Sequence, residues 1–394
     1  ELHAFLRLGT DFDQNYYEVE IPLKISDPNN ANPGPRDVWP EENEIDLALN
    51  ELYALKAARD RERFPAGELY PREGGKQVGR HFIRMVGRPD LSSVQVMMIG
   101  VRNPKSADRR SHSVCIWANE LRVTDFDRTA GWAVSTTLSA KLADFATVTG
   151  ALRHTSFGFG SVSSKIGERA RDETTAYDVS ANVNVDKLLP GNTGIKIPMF
   201  VSYENTTINP NFDPANPDMR VEAALKSFSD TQERENFKDL IQDKTTRRSL
   251  NFVNVRKTKI KQDATPHLWD IENLAFSYSF SEMLQTNFFT KESLLRQYRG
   301  SVAYNFTPKA SGIEPFKEVK AFGSPYLRFL RDFNLNLLPS NISIRADLDR
   351  SFGKKIYRNS AGSYGTFSYS PPHYLKYFTF NRQYNLRWSI SRNL

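Results

Sequence analysis

A period of two, sustained over segments about ten residues long, limits this chain more than any other feature. Tyr177, Val179, Ala181, Val183 and Val185 alternate with Asp178, Ser180, Asn182, Asn184 and Asp186. Leu274, Phe276, Tyr278 and Phe280 alternate with Asn273, Ser277 and Ser279, and Ile342, Ile344, Ala346 and Leu348 with Ser343, Arg345, Asp347 and Asp349. Tyr384, Leu386, Trp388 and Ile390 alternate with Asn385, Arg387, Ser389 and Ser391. Residues 132–142, 146–153, 195–203, 299–306 and 333–337 are further candidates. Successive side chains of a strand point to opposite faces, so each segment has one apolar face and one polar face.

These segments are close to the ~9–11 residues that a tilted strand needs to cross a bilayer. They exceed the ~5–6 residues usual in soluble strands. Aromatic residues make up 12% of the chain and gather near segment ends, at Phe288-Phe289, Tyr374, Tyr377, Phe378 and Phe380, where an interfacial girdle would sit. A soluble β-sandwich shows the same alternation with its apolar face turned inward. Both readings stay open on pattern alone, and strand length and aromatic placement favour the membrane barrel. On that reading Phe276, Tyr278, Phe280, Tyr384, Leu386, Trp388 and Ile390 face lipid. Asp178, Ser180, Asn182, Asn184, Arg345 and Asp347 face the lumen.

The fold class expected is therefore all-β: an antiparallel transmembrane barrel segment over 126–394, preceded by a small β-rich, jelly-roll-like soluble domain over 1–125. The first part has short β candidates at 16–25, 79–86, 93–101, 113–117 and 120–123, set between loops rich in turn formers. Pro40 and the acids Glu41, Glu42 and Glu44 suit a helix N-terminus. Ile45, Leu49, Leu52 and Leu55 then give one amphipathic stripe, so a helix is expected over 41–63. A helical insertion is expected at 219–245, with Ser229 capping its second helix and Phe237, Leu240 and Ile241 forming a narrow apolar stripe.

Charge and motifs exclude more than they assign. The 53 Lys+Arg are interspersed with 46 Asp+Glu, for a net charge of +7. That is unlike a nucleic-acid binder, which concentrates its basic residues; the densest run, Arg247–Lys261, suits a wet lumen, anionic headgroups or a plain solvated strand face. No stretch is apolar for the ~18 residues a membrane helix needs. The single cysteine, Cys115, excludes an internal disulfide and is expected to be a buried structural thiol; with His112 it makes only half a zinc site. Glu120, Asp125 and Asp127 lack the two-carboxyl geometry of a glycosidase. The glycines of 157–161 lack the Lys and Ser/Thr of a phosphate loop. Asp213, Asn216 and Asp218 could ligate calcium, although no closing Glu follows and two prolines intervene. No enzyme, cofactor or metal is expected.

Residues 16–25 (YYEVEIPLKI), 38–47 (VWPEENEIDL), 115–133 (CIWANELRVTDFDRTAGWA), 191–206 (GNTGIKIPMFVSYENT) and 243–258 (DKTTRRSLNFVNVRKT) resemble the SprA/Sov family. Its members are the giant outer-membrane translocons of the type IX secretion system of Gram-negative bacteria. The resemblance implies a very large barrel that passes folded cargo bearing a C-terminal signal domain to the cell surface. It also implies plug and cargo-collecting barrel subunits as partners, besides membrane lipid. Family members are several times longer, so this chain is expected to be a fragment. The start at Glu1 without a leader and the stop at Arg392-Asn393-Leu394 suggest the same. A TonB-type receptor barrel would carry a plug with an energy-coupling box near its start, which is not found. A soluble carbohydrate-binding β-sandwich protein is the other alternative.

Overall fold

A computed structural model describes residues 2–391 except 28, 105–110, 112, 126, 192, 227, 229, 261–264, 310–311, 319–325, 327–331 and 361–366. His112, Phe126, Ser229, Lys261 and the terminal 392–394, singled out above, lie outside the described residues.

The N-terminal part forms one antiparallel sheet from β1 (His3–Gly9), β2 (Tyr16–Pro22), β3 (Lys76–Val78), β4 (His81–Val86) and β5 (Val96–Arg102), in the order β3-β4-β2-β1-β5. The sequence pattern did not single out β1. It is positioned by the turn into β2, where the Asp11 carboxylate accepts the N–H groups of Asp13, Gln14 and Asn15 and the Asn15 side chain. Those bonds, the Asn15 side chain first, hold the Asp11 carboxyl down at about 2.

One face of this sheet presents Tyr17, Val19, Ile83 and Met85, which pack with Leu52 and Leu55 of helix α1 (Leu49–Arg61). The opposite face holds two buried carboxylates among guanidinium groups. Glu18 meets Arg7 at 2.7 Å, Arg102 at 3.0 Å and Arg84 at 3.2 Å, while Glu20 meets His3 at 2.6 Å and also Arg84 and Arg102. Buried charge of this kind persists only when each lone pair finds a donor, and the three arginines supply them.

Helix α1 begins at Leu49, not at residue 41. Pro40 opens a single turn over Glu41–Asn43, and the chain is extended again from Glu44 to Ala48. The Asn43 side chain bonds the backbone of Lys24 in both directions, and Ile45 and Leu47 reach the core from the extended segment. Their helical spacing therefore reflects contact with the same core without helical backbone. The segments 113–117 and 120–123 are not strands. Val114, Ile116, Trp117, Leu121 and Val123 are exposed, and so is Cys115, which corrects the expectation of a buried thiol.

From residue 133 onward the long strands follow one another: β6 (Ala133–Leu142), β7 (Ala146–Thr155), β8 (Asp172–Asn184) and β9 (Pro198–Pro210). An insertion intervenes, made of a small hairpin, β10 (Phe212–Asp213) and β11 (Asn216–Arg220), and two helices, α2 (Val221–Leu225) and α3 (Thr231–Ile241). The second helix is capped by Asp230, whose side chain accepts from the Gln232 N–H, and it ends before β12 (Asp243–Lys257). Then come β13 (Leu274–Thr286), β14 (Thr290–Phe306), β15 (Asn341–Ser360) and β16 (His373–Arg387). Each long strand pairs antiparallel with its neighbours along the chain, in an up-and-down meander with β6 and β16 at the edges. The sheet is open. No helix among the described residues is long and apolar enough to cross a membrane, which says nothing about strands that cross one.

The insertion docks on α1. Phe237 and Ile241 of α3, Ala224 of α2 and Met219 of β11 bury against Ala57 of α1 and Phe288 of the β13–β14 turn. Helix α1 is thus buried on two sides, not along one stripe. At this junction Lys56 is sealed from water, and its Nζ donates to Asp218 Oδ1 and to the Pro89 carbonyl, both at 2.8 Å. The Tyr17 hydroxyl donates to Asp218 Oδ2 at 3.0 Å. Burial, and next the Asp218 charge, push the Tyr17 phenol well above its ordinary value. Removing one partner of a buried pair leaves a bare charge, so Asp218→Ala should destabilise the N-terminal domain by about 3–5 kcal/mol. Tyr17→Phe, which removes one neutral donor, should cost about 1 kcal/mol. Urea midpoints of the two variants measure the contrast.

Candidate functional site: the two faces of the long sheet

Strand pairing decides which side chains share a face. One unbroken row runs Leu348–Gly300–Tyr278–Phe252–Met199–Val183–Ala146–Leu142 across eight strands. A neighbouring row two residues along runs Arg350–Tyr298–Phe280–Leu250–Val201–Ala181–Val148–Ala140. The register puts Phe276, Tyr278, Phe280, Tyr384 and Leu386 together on this apolar face. Trp388 and Ile390 lie past the end of β16 at Arg387. The Trp388 indole donates to the Asn336 carbonyl at 3.0 Å and the Ile390 carbonyl accepts from the Asn336 N–H at 2.8 Å. Beyond the last ladder pair, Asn341–Arg387, the chain stays beside the segment before β15 through bonds to Ser340 and Asn336 and without regular pairing.

The opposite face is polar on the same strands. Ser180, Ser202, Ser249, Ser281, Gln297 and Ser351 form one row, and Asn182, Phe200, Asn251, Ser279, Arg299 and Asp349 the next. Asp178, Asn184, Arg345 and Asp347 belong to this face as well. Hydroxyl and amide groups bond across strands, as between Ser202 and Ser249 at 2.7 Å and between Ser279 and Asn251 at 2.5 Å. Arg345 pairs with Asp347 at 2.9 Å and Arg299 with Asp349 at 2.8 Å. The face holds a cleft of about 680 Å³ lined by Asn251, Ser277, Ser279, Arg299, Arg345 and Asp347 among others.

The apolar face carries many exposed apolar side chains, although Phe306 and Asn205 at its ends are buried and the Tyr304 hydroxyl donates to the Leu268 carbonyl at 2.8 Å. Leu138 is 74% exposed, Val179 50%, Phe276 47% and Tyr384 65%. This inverts the arrangement of a sandwich, where the apolar face meets a second sheet. The apolar run also slants. On β15 it spans Ile342, Ile344, Ala346 and Leu348, ending on the Leu348 row; on β8 it spans Val183, Ala181, Val179 and Tyr177, starting on that row and running the other way. The shift is six residues over five strand steps, or about 20 Å along the strands against about 24 Å across them. The slope is about 40°, within the tilt of strands in closed barrels. A band level with a bilayer crosses tilted strands at such a slope.

The run meets a polar boundary that sequence inspection did not isolate, with Leu284, Leu294 and Phe352 standing on the same face beyond or beside it. Past its end on the same face stand Arg350 on β15, Arg296 on β14, Glu282 on β13 and Arg248 on β12, then Asn205 on β9 and Thr175 on β8. Each lies at even spacing from the apolar residues of its strand, so parity could have found it. A bulge between Phe252 and Val255, with Asn254 in left-handed backbone at φ 58°, hides the parity of β12. Of the aromatics expected in a girdle, Tyr374, Phe378 and Phe380 lie on the apolar face and Tyr377 on the polar one. Phe288 is buried in the junction cluster instead, because α3 covers the β13–β14 turn.

The remaining motifs resolve into ordinary contacts. Asp218 is taken by Lys56, and Asp213 accepts from the Asn216 side chain at 2.9 Å, while its burial raises its carboxyl above the usual range. Asp127 pairs with Arg220 and accepts from Thr129, and Glu120 lies 3.9 Å from Arg122. Residues 157–161 form a loop in which Gly158 has φ +79°. Among the described residues no three His, Cys, Asp or Glu side chains are grouped to hold a metal.

The chain is thus an antiparallel all-β protein whose long sheet separates a largely exposed apolar face from a polar one. A family model described as motility related/secretion protein, SprA_N, matches residues 1–225, more than half of the chain. The chain belongs to that family. No curated protein matches it. The match spans the N-terminal sheet, β6–β9 and the insertion as far as α2.

Ion pairs on the polar face are exposed and therefore weak. Arg345→Ala and Arg299→Ala should each change stability by less than about 1 kcal/mol, a fraction of the loss at Asp218, as read from the same urea midpoints.

Proposed function

We propose that the long sheet is an arc of the wall of an outer-membrane protein-conducting channel, the translocon of the type IX secretion system. The observation that carries this reading is the largely exposed apolar band on one face, slanted by about the barrel tilt, opposite a hydrogen-bonding polar face. Family membership supplies the secretion role in its coarse form. In the finer reading, lipid contacts Phe276, Tyr278, Phe280, Tyr384 and Leu386. Water and passing cargo contact Asp178, Ser180, Asn182, Asn184, Arg345 and Asp347.

The wall in this reading is passive. Its polar face offers exchangeable hydrogen bonds and balanced ion pairs, suited to letting a folded protein slide without sticking. It works without catalysis, cofactor or metal, in the outer membrane of a Gram-negative bacterium. The N-terminal sheet lies on the periplasmic side or within the lumen. Its partners are cargo proteins with a C-terminal signal domain, a plug, a cargo-collecting barrel and lipid, and no nucleic acid.

Two measurements test the membrane reading. The purified protein should need detergent to stay monodisperse, and a monodisperse sample in plain buffer would falsify it. Phe276→Arg should cost about 2–4 kcal/mol of folding stability in lipid, whereas Ser277→Arg on the neighbouring polar position should be nearly neutral. Equal effects at the two sites would mean that both faces meet water.

A further inference from the structure

The polar boundary of the apolar face is not evenly charged. Along β12–β16 it carries Lys244, Arg248, Arg296, Arg350, Lys354 and Lys376 against Glu282 and Glu292, all on the apolar face by register. Glu282 lies between two guanidiniums, 3.2 Å from Arg248 and 2.6 Å from Arg296, and Glu292 takes Lys354 at 2.8 Å. Two carboxylates thus neutralise two of six cations, and a guanidinium with five donors keeps several of them after meeting one carboxylate. Aromatic rings are interleaved. The Arg350 guanidinium lies 5.7 Å from the Tyr298 ring centre and Lys376 Nζ 5.9 Å from that of Tyr374.

The excess is local in two directions. On β9, β8 and β7 the positions along this boundary are Asn205, Thr175 and His154, and the next residue on this face of β8 is the acid Glu173, 3.5 Å from His154. At the opposite end of the apolar run, β12 ends in Lys257, which pairs with Glu272 at 2.9 Å and leaves no excess there. One end of the band over β12–β16 is basic and the other is balanced, with Arg382 between them, 5.5 Å from the Phe380 ring centre.

We propose that this basic belt binds the phosphate groups of anionic lipid headgroups. The inference rests on the reading that the apolar face meets a bilayer. The belt begins where the apolar run stops, which is the depth at which headgroup phosphates lie, and its cations are spaced among rings suited to the interface. Cations on this face next to hydrocarbon are costly unless an anion meets them; Glu282 and Glu292 meet part of that need and lipid phosphates meet the remainder. Arginine donors in a fixed fork match phosphate oxygens two at a time.

The test uses the protein extracted from its native membrane in a neutral detergent, with phosphatidylglycerol or phosphatidylcholine added and bound lipid counted by native mass spectrometry. The protein should retain phosphatidylglycerol preferentially. Lys244→Gln, Arg350→Gln and Lys376→Gln combined, which leave Glu282 and Glu292 their partners, should cut that preference by at least about tenfold. Arg299→Gln, on the polar face, should leave it unchanged. Equal retention of the two lipids by the unaltered protein, or an undiminished preference in the triple variant, overturns the belt. So does an acidic peptide that displaces bound phosphatidylglycerol in competition. These results are distinct from failure of the membrane reading, which shows as a protein that stays monodisperse without detergent.

Discussion

The long sheet depends on one constraint: a ladder of backbone pairs that keeps its phase from β6 to β16. A slip of one residue at any of the eight pairings would send a whole strand's apolar residues to the polar face. The apolar face, the polar cleft and the basic boundary are all consequences of that phase. The ladder shifts between Thr290 and Glu292 at the start of β14, and at the bulge at Asn254, which is absorbed locally. The Asn254 N–H donates to the Ser277 hydroxyl at 2.9 Å, and the register resumes at Val255–Phe276.

How much of this the sequence disclosed depended on whether the determining contact was local. Strands β8, β13 and β15 could be read because alternation is an intrastrand property; which strands pair could not, because alternation carries no information about neighbours and several connections are long. The face assignments of Phe276–Phe280 and Asp178–Asn184 needed only that alternation. Trp388 and Ile390 continue the same alternation past the last ladder pair, where bonds to Ser340 and Asn336 replace regular pairing. Alternation carries no record of such a contact.

Helical content was harder for the same reason. The stripe from Ile45 to Leu55 mixes an extended segment with a helix because both touch one core. Lys56 and Arg59 look like the solvated side of an amphipathic helix, but they are buried. Their partners are the insertion for Lys56, through Asp218, and the Gly87 carbonyl for Arg59. The insertion itself could be located from turn residues and helix caps. That it settles on α1 could not, because Met219 and Phe237 gain their meaning only from Ala57 and Phe288 across the fold.

The Lys56–Asp218 contact sets how the N-terminal sheet can move against the long one. Separation by a few ångströms would leave an ammonium and a carboxylate facing each other across a gap too narrow for full hydration, worse than either the closed or the parted state. The joint therefore has two positions and a barrier between them, and behaves as a catch more than as a hinge. Force applied to the insertion through α3 would accumulate until the pair and the cluster around Ala57 let go together. An N-terminal sheet held this way would part from the long sheet all at once and not by degrees.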